Sequence, residues 1–269
     1  MTLDAFFATA LSPSAFASIA LLLTLIALAA AIEFVIPLHA RNRWNSAHLV
    51  PNFALSTIYL AVNLFFTAAI VLALAALQQA GFGLFNALAL DPLLELAFAV
   101  LILDFQAYGV HVAMHESRAM WRFHRVHHTD PAVDVTTALR QHPGESVIRF
   151  LSIAVFAAAS GASPEAFALY RLLSGVQALS EHANVRLPLR LDTALSWLIA
   201  TPNYHKVHHS RARGETDTNY ANILTVWDRL FLTATPAHRG CSVSYGLDGF
   251  DDRESQTARA LLALPFRTA

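Results

Sequence analysis

The sequence predicts an all-α integral membrane protein, a helical bundle of roughly three to five membrane segments with a histidine-rich cap on one side. Three observations carry that expectation. The 269-residue chain is 55% hydrophobic and 14% charged, with a mean hydropathy of +0.45, whereas a soluble domain carries about 25% charged residues. From Trp44 to Leu90 there is no Asp, Glu, Lys or Arg. Of its 13 histidines, six fall in two short pieces, WRFHRVHH at 121–128 and YHKVHH at 204–209.

The elements follow in chain order. Ala15 to Ile32 is free of charge and reads as the core of a first spanning helix that ends near Pro37. Phe53 to Leu77 reads as a second, since about 20 apolar residues cross the hydrocarbon. Gln78, Gln79, Gly81 and Gly83 then break the pattern, and Asp91-Pro92 marks the start of a third helix reaching about Met114. Two shorter apolar pieces, 150–163 and 166–180, flank Ser163-Pro164 and are cut by Arg149, Glu165, Arg171 and Glu181. They read as a re-entrant hairpin or as two short spans lined by protein. Either way the chain leaves and returns on the same side. LLALPF at 261–266 reads as a membrane-surface segment or as a terminal helix packed on the rest. The chain thus divides into N-terminal membrane helices (1–92) and a region that carries the chemistry (93–269), with its hairpin at about 146–182.

Arginines set the orientation. His39–His48 carries Arg41 and Arg43 and no acid, 78–92 carries no base, and Arg118, Arg122 and Arg125 follow the third helix. Together they place the N-terminus outside and the histidine-bearing face in the cytoplasm. MTLDAFFATALSPSAF lacks a basic leader region, so the first apolar helix is expected to stay in the membrane. A net charge of −1 gives no reason to expect nucleic acid as a partner. Cys241 is the only cysteine, which excludes an intrachain disulfide, a cysteine-ligated zinc and a built-in iron–sulfur cluster. Lys206 is the sole lysine, an arginine bias that hints at a GC-rich bacterial genome and so at an inner membrane.

The histidines carry the chemistry. His111 and His115 form H-x-x-x-H at the end of the third helix; His124, His127 and His128 form H-x-x-H-H, as do His205, His208 and His209. On a helix, positions three and four apart share a face. With His182 in SEHANV the total is nine imidazoles. Imidazole suits iron, zinc, copper and nickel, and nine exceed what one tetrahedral zinc uses; they suffice for two metals. A zinc protease motif fails at His115-Glu116, because position 119 is Ala. Asp104, Tyr108, His111 and His115 form one helical stripe, so Asp104 is expected to accept the N–H of a ligand histidine. RQHPGE at 140–145 shares HPG with a haem-binding motif, but Glu145 replaces its last Gly, so no haem is expected. His39, His48 and His238 have no partners in sequence and read as interfacial or structural.

DFQAYGVHVAMH, WRFHRVHHTD, DVTTALRQHPGE, HANVRLP, TPNYHKVHHS, TNYANILTVWDRLF and YGL, from Asp104 to Phe266, resemble the fatty acid hydroxylase / sterol desaturase superfamily of membrane non-haem di-iron enzymes. The resemblance implies two irons at the cytoplasmic mouth of a helical bundle, held by His111, His115, His124, His127, His128, His182, His205, His208 and His209. Fatty acid 2-hydroxylases have a second H-x-x-x-H in this region, but the position four before His182 is Ala178; His142, Asn184 or a water are the candidates to fill it. The implied reaction is oxygen-dependent hydroxylation of an unactivated C–H bond in a lipid drawn from the bilayer. Desaturation and ether-lipid monooxygenation are alternatives on the same scaffold, and a non-catalytic metal-binding membrane protein is a further one. A histidine-rich metal transporter fits less well, because the imidazoles gather at one membrane face rather than at the midplane. With no G-x-G-x-x-G, no flavin or nicotinamide site is expected, and electrons are expected from a separate ferredoxin or cytochrome b5-type donor, docked on Arg118, Arg122, Arg125, Arg211 and Arg213.

Overall fold

A computed structural model describes residues 13–39 and 46–267. Arg41 and Arg43, and most of the N-terminal stretch used above, lie outside the described residues. The chain is helical, and among the described residues the only β pairing is three isolated bridges. The main helices are α1 (Pro13–Val35), α2 (Ser46–Gln79), α3 (Pro92–Glu116), α4 (Arg118–His128), α5 (Pro143–Ser160), α6 (Pro164–His182), α7 (Leu189–Leu195), α8 (Pro202–His208), α9 (Val226–Leu230) and α10 (Ala258–Ala263).

Helix starts follow one local rule. Asp91, His142, Ser163 and Thr201 cap α3, α5, α6 and α8 through a side chain that accepts a backbone N–H, and each is followed by proline. Proline's preset φ suits the first helical position, where its missing N–H costs nothing.

His48–Ala87, Pro92–Glu116 and Pro143–Ser160 are long and apolar enough to cross a membrane. Ala20–Val35 is apolar but shorter, and α6 falls short through its charges. Rows of exposed apolar side chains, among them Leu28, Phe34, Phe65, Leu151, Val155 and Leu172, form the surface that hydrocarbon would cover. Helix α2 has 34 residues, about 51 Å at the α-helical rise and well beyond the roughly 30 Å of hydrocarbon. Its surplus is at the start, where His48, Asn52 and Leu55 are buried in the cap. The end of α3 overshoots likewise and carries His111 and His115 into the same layer.

Helices α5 and α6 both pack on α3, and the chain reverses between them at Gly161. Ile70, Leu74, Leu103, Phe150, Ile153 and Phe167 fill the space between these helices and α2. The reversal is tied to the first turn of α3 and to the loop before it. Glu95 accepts from Ser163 N at 2.8 Å, and Gly83 packs so closely on Gly161 that a Cβ on Gly83 would lie 2.3 Å from the Gly161 Cα. The last segment packs on the cap rather than lying free: Leu261 and Leu264 are buried with Leu55 and Val126, and Arg125 donates to Leu264 O.

Gly83 sits at φ 102 and Gly161 at φ 75, where an L side chain costs about 1–3 kcal/mol in backbone strain. Gly83→Ala adds a backbone clash to that strain. It is expected to lower the thermal unfolding midpoint in detergent clearly more than Gly81→Ala, whose Cβ meets nothing within 4 Å at φ 65.

Candidate metal centre

All nine histidines of the three sequence clusters and SEHANV are buried. Helix geometry does the first part of the assembly. His111 and His115 stack on α3, His124, His127 and His128 share one face of α4, His182 ends α6, and His205 and His208 lie on α8 with His209 as its cap residue. The reversal between α5 and α6 then brings His182 back against α4.

The imidazoles form two adjoining groups. His111, His115, His124, His128 and His208 make one; His127, His182, His205 and His209 make the other; within each, one nitrogen per residue lies within 4.8 Å of the rest. The groups touch, with the His128 and His209 ring centroids 4.8 Å apart and stacked.

Hydrogen bonds at the back of the rings fix which nitrogen faces inward. Nδ1 of His111, His182 and His208 donates to the carbonyls of Tyr220, Ala178 and Thr218, at 2.8, 2.7 and 2.8 Å. Nδ1 of His124 donates to Glu145 Oε1 at 2.9 Å, and that of His115 to Asp217 Oδ1 at 3.1 Å. A neutral imidazole has one N–H, so each of these five turns a bare Nε2 lone pair to the centre. His111 and His124 then face each other at 3.1 Å with no proton between them. The single Nε2 of His182 meets those of His127, His205 and His209 at 3.0, 3.1 and 3.2 Å. Nε2 of His115 and of His208 are buried without any partner. Converging lone pairs repel one another and attract a cation, so the donor set fits a metal in each group.

Burial, reinforced by neighbouring imidazoles, holds His124, His128, His205, His208 and His209 well below their ordinary pKa. His127 is pushed down to about 3, by burial first and then by Arg149 and His208. The rings are therefore neutral, the state in which imidazole binds metal.

Three expectations are corrected. Asp104 does not accept from a histidine: its oxygens take Ile223 N at 3.1 Å, Leu224 N at 3.0 Å and Trp227 Nε1 at 2.9 Å. Three donors offset the cost of a carboxylate at this depth, and the bonds fasten to α3 the segment that offers Tyr220 O to His111. His142 is not at the centre; it caps α5, with Nδ1 accepting from Gly144 N at 2.9 Å and Nε2 facing Leu262 O at 3.2 Å. Asn184 is also elsewhere, its Oδ1 accepting from His39 N at 2.9 Å and its Nδ2 donating to His39 O at 3.0 Å.

Several residues that shape the centre lack a sequence signal of their own. Glu145, Glu181 and Asp217 are single acids; Glu181 Oε1 lies 3.8 Å from both His182 and His205. Asp228, in TVWDRLF, accepts from Tyr220 N, Ala221 N, Tyr204 Oη and Thr233 Oγ1. Behind α4, His48 lies between Asp130 (2.6 Å) and Asp134 (3.1 Å). Arg140, fully buried, donates to Val126 O, Asn52, Thr129 and Gln256. Lys206 is buried on the other flank, with Nζ donating to the carbonyls of Val133 and His182. The arginine face is partly spent: Arg211 pairs with Asp248 and Asp251, and Arg213 with Asp217.

Comparison with known proteins agrees with this arrangement. A family model described as fatty acid hydroxylase matches residues 96–233, just over half of the chain and a range that contains all nine histidines. The chain is 34% identical to the alkylglycerol monooxygenase of Homo sapiens over 154 residues, which is 55% of this chain and 32% of that protein. It is 28% identical to the ornithine lipid hydroxylase of Rhizobium tropici over 172 residues, 64% of this chain and 50% of that protein. A cholesterol 25-hydroxylase-like protein of Danio rerio is 28% identical over 145 residues, 52% of this chain and 55% of that one. The matched part thus spans between about a third and just over half of these relatives. No solved structure matches. On the extent of the family match and the histidine clusters it encloses, the chain belongs to the fatty acid hydroxylase family.

Proposed function

We propose that the protein is a membrane-bound non-haem di-iron oxygenase that hydroxylates an unactivated C–H bond of a lipid, with O2 and two electrons supplied from outside. The observation that carries this reading is the convergence of nine imidazole nitrogens into two adjoining groups of five and four, five of the rings being held from behind so that a bare Nε2 faces inward. Zinc has no redox chemistry, whereas hydroxylation and monooxygenation, the activities named for the relatives, need a redox-active centre, which imidazoles supply by holding a redox-active metal such as iron. Two irons held by these groups would supply the reductive activation of oxygen.

The chain's own residues provide position and exclusion. Tyr220 O, Ala178 O and Thr218 O, with Glu145 and Asp217, keep the Nδ1 protons in place, so the lone pairs stay aimed inward. Burial of all nine rings keeps bulk water from the centre. The bundle beneath delivers the lipid, and the centre faces the cytoplasm of a bacterial inner membrane, as the arginines of α4 suggest. The basic face open to a ferredoxin or cytochrome b5-type donor narrows to Arg118 and Arg122, since Arg211 and Arg213 already pair with acids and Arg125 donates to Leu264 O. The 34% identity to an alkylglycerol monooxygenase favours an ether lipid as a second reading of the substrate.

Metal analysis of the detergent-purified protein tests the proposal, with Mössbauer spectra after growth on iron-57. About two spin-coupled irons per chain are expected, and their loss in His127→Ala/His208→Ala, which removes one ring from each group. Folded wild type that takes up no iron after reconstitution with ferrous salt and reductant would overturn it.

A milder change probes the orienting layer. Glu145→Ala strips His124 Nδ1 of its acceptor, and loss of such an outer partner typically weakens metal binding by about 10–100-fold. Faster transfer of iron to a chelator is expected, with unchanged helicity by circular dichroism.

A further inference from the structure

Beneath the histidines, between α2, α3, α5 and α6, lies a cavity of ≈ 100 Å³. It reaches the metal centre at Ala178, whose carbonyl holds His182, and at Val110, next to His111. Its lining is unlike a plain hydrocarbon tunnel. Arg149 and Arg171 both border it, with amides and hydroxyls between them, and neither Asp nor Glu does.

The two arginines differ in how their charge is met. Arg149 donates to Glu145 Oε1 at 2.8 Å. Arg171 lies over the Phe150 ring, 5.1 Å from its centroid, and among the described residues no carboxylate pairs with it. Asp104, on the neighbouring helix, has its oxygens taken by Ile223, Leu224 and Trp227. The amides of Gln106 and Asn222 are committed to Ser152 and Ser174. A cation among membrane helices is costly and marks a ligand or partner, and the planar guanidinium matches carboxylate and phosphate oxygens in pairs.

We propose that this cavity takes the head group of an acidic lipid, whose carboxylate or phosphate oxygens are held by Arg171. Arg171 is thus a specificity-determining residue for the reaction proposed above, and the inference rests on that reading for its consequence. Ala178 lies seven positions after Arg171 on α6, about 10 Å along the axis. The carbon presented to the histidines therefore lies near the acidic group, not at the distant end of a long chain.

Equilibrium binding to the full chain in neutral detergent tests this without turnover, using dodecanoate, dodecyl phosphate and dodecanol as probes. Wild type is expected to prefer one of the acidic probes over dodecanol by about tenfold or more, the range of a hydrogen bond to a charged group. Whichever is preferred identifies the source, a fatty acid carboxylate or a phospholipid phosphate. Arg171→Gln should abolish the preference while leaving dodecanol binding unchanged. Arg171→Lys should retain a reduced preference, and it decides the matter where Arg171→Gln does not fold. Equal binding of all three probes by wild type, or an undiminished preference in the variants, overturns the proposal. Iron bound with no preference refutes this inference alone; a preference without iron refutes the oxygenase reading alone.

Discussion

The structure depends on one electrostatic constraint: imidazole lone pairs, fixed in direction, are pressed together in a buried volume. His182 alone meets three other ring nitrogens within 3.2 Å. A single lone pair on His182 accepts from at most one of them, and His111 and His124 face each other with no proton between them, because both spend their N–H on acceptors behind the ring. Protonation does not relieve the crowding either, since burial and mutual repulsion disfavour the charged form. A cation held by each group would turn the repulsion into attraction. The fold surrounding the centre is best understood as the apparatus that keeps these rings converging where a metal fits.

That apparatus has two flanks. On one, Asp104 and Asp228 organise the segment from Tyr220 to Thr233, and this segment carries the carbonyl that aligns His111. On the other, Arg140, His48, Asp130 and Asn52 join α2 to α4 and to the turn after it. The second flank keeps His48 between two carboxylates and holds the Asp130 carboxyl well below the usual range, through the His48 and Arg140 charges acting against its burial. Groups so fully partnered act as a rigid wall rather than as a solvated surface. This explains why α2 is much longer than a bilayer needs: its first turns belong to the wall.

How much of this was legible in the sequence depended on range. The spans, the proline-marked helix starts and the histidine spacing are local signals, and the structure bears out a helical bundle with three candidate spans and clustered histidines. The nine histidines were visible because same-face spacing on a helix is a periodic pattern. Their orienting partners were not, since Glu145, Asp217 and Tyr220 reach His124, His115 and His111 across 21, 102 and 109 residues. Asp104 shows the same limit from the other side. Its helical stripe correctly put it on the face of His111 and His115, yet the stripe could not reveal that the segment near residue 224 would reach it first. His48 carries no local sign of its partners because both its carboxylates lie more than 80 residues away.

Ala178 links the centre to the cavity beneath it. Where the resemblance to fatty acid 2-hydroxylases implies a histidine, this chain offers a methyl group to the cavity and a backbone carbonyl to His182. The carbonyl does part of what another side chain would do, because it fixes the tautomer of a ring that is already present. The methyl does something an imidazole could not. A ring at this position would occupy a substantial share of ≈ 100 Å³ at the point where the cavity meets the histidines. The second group, with four rings against five, thus exchanges a fifth ring for room. That room is where the head group proposed above would sit.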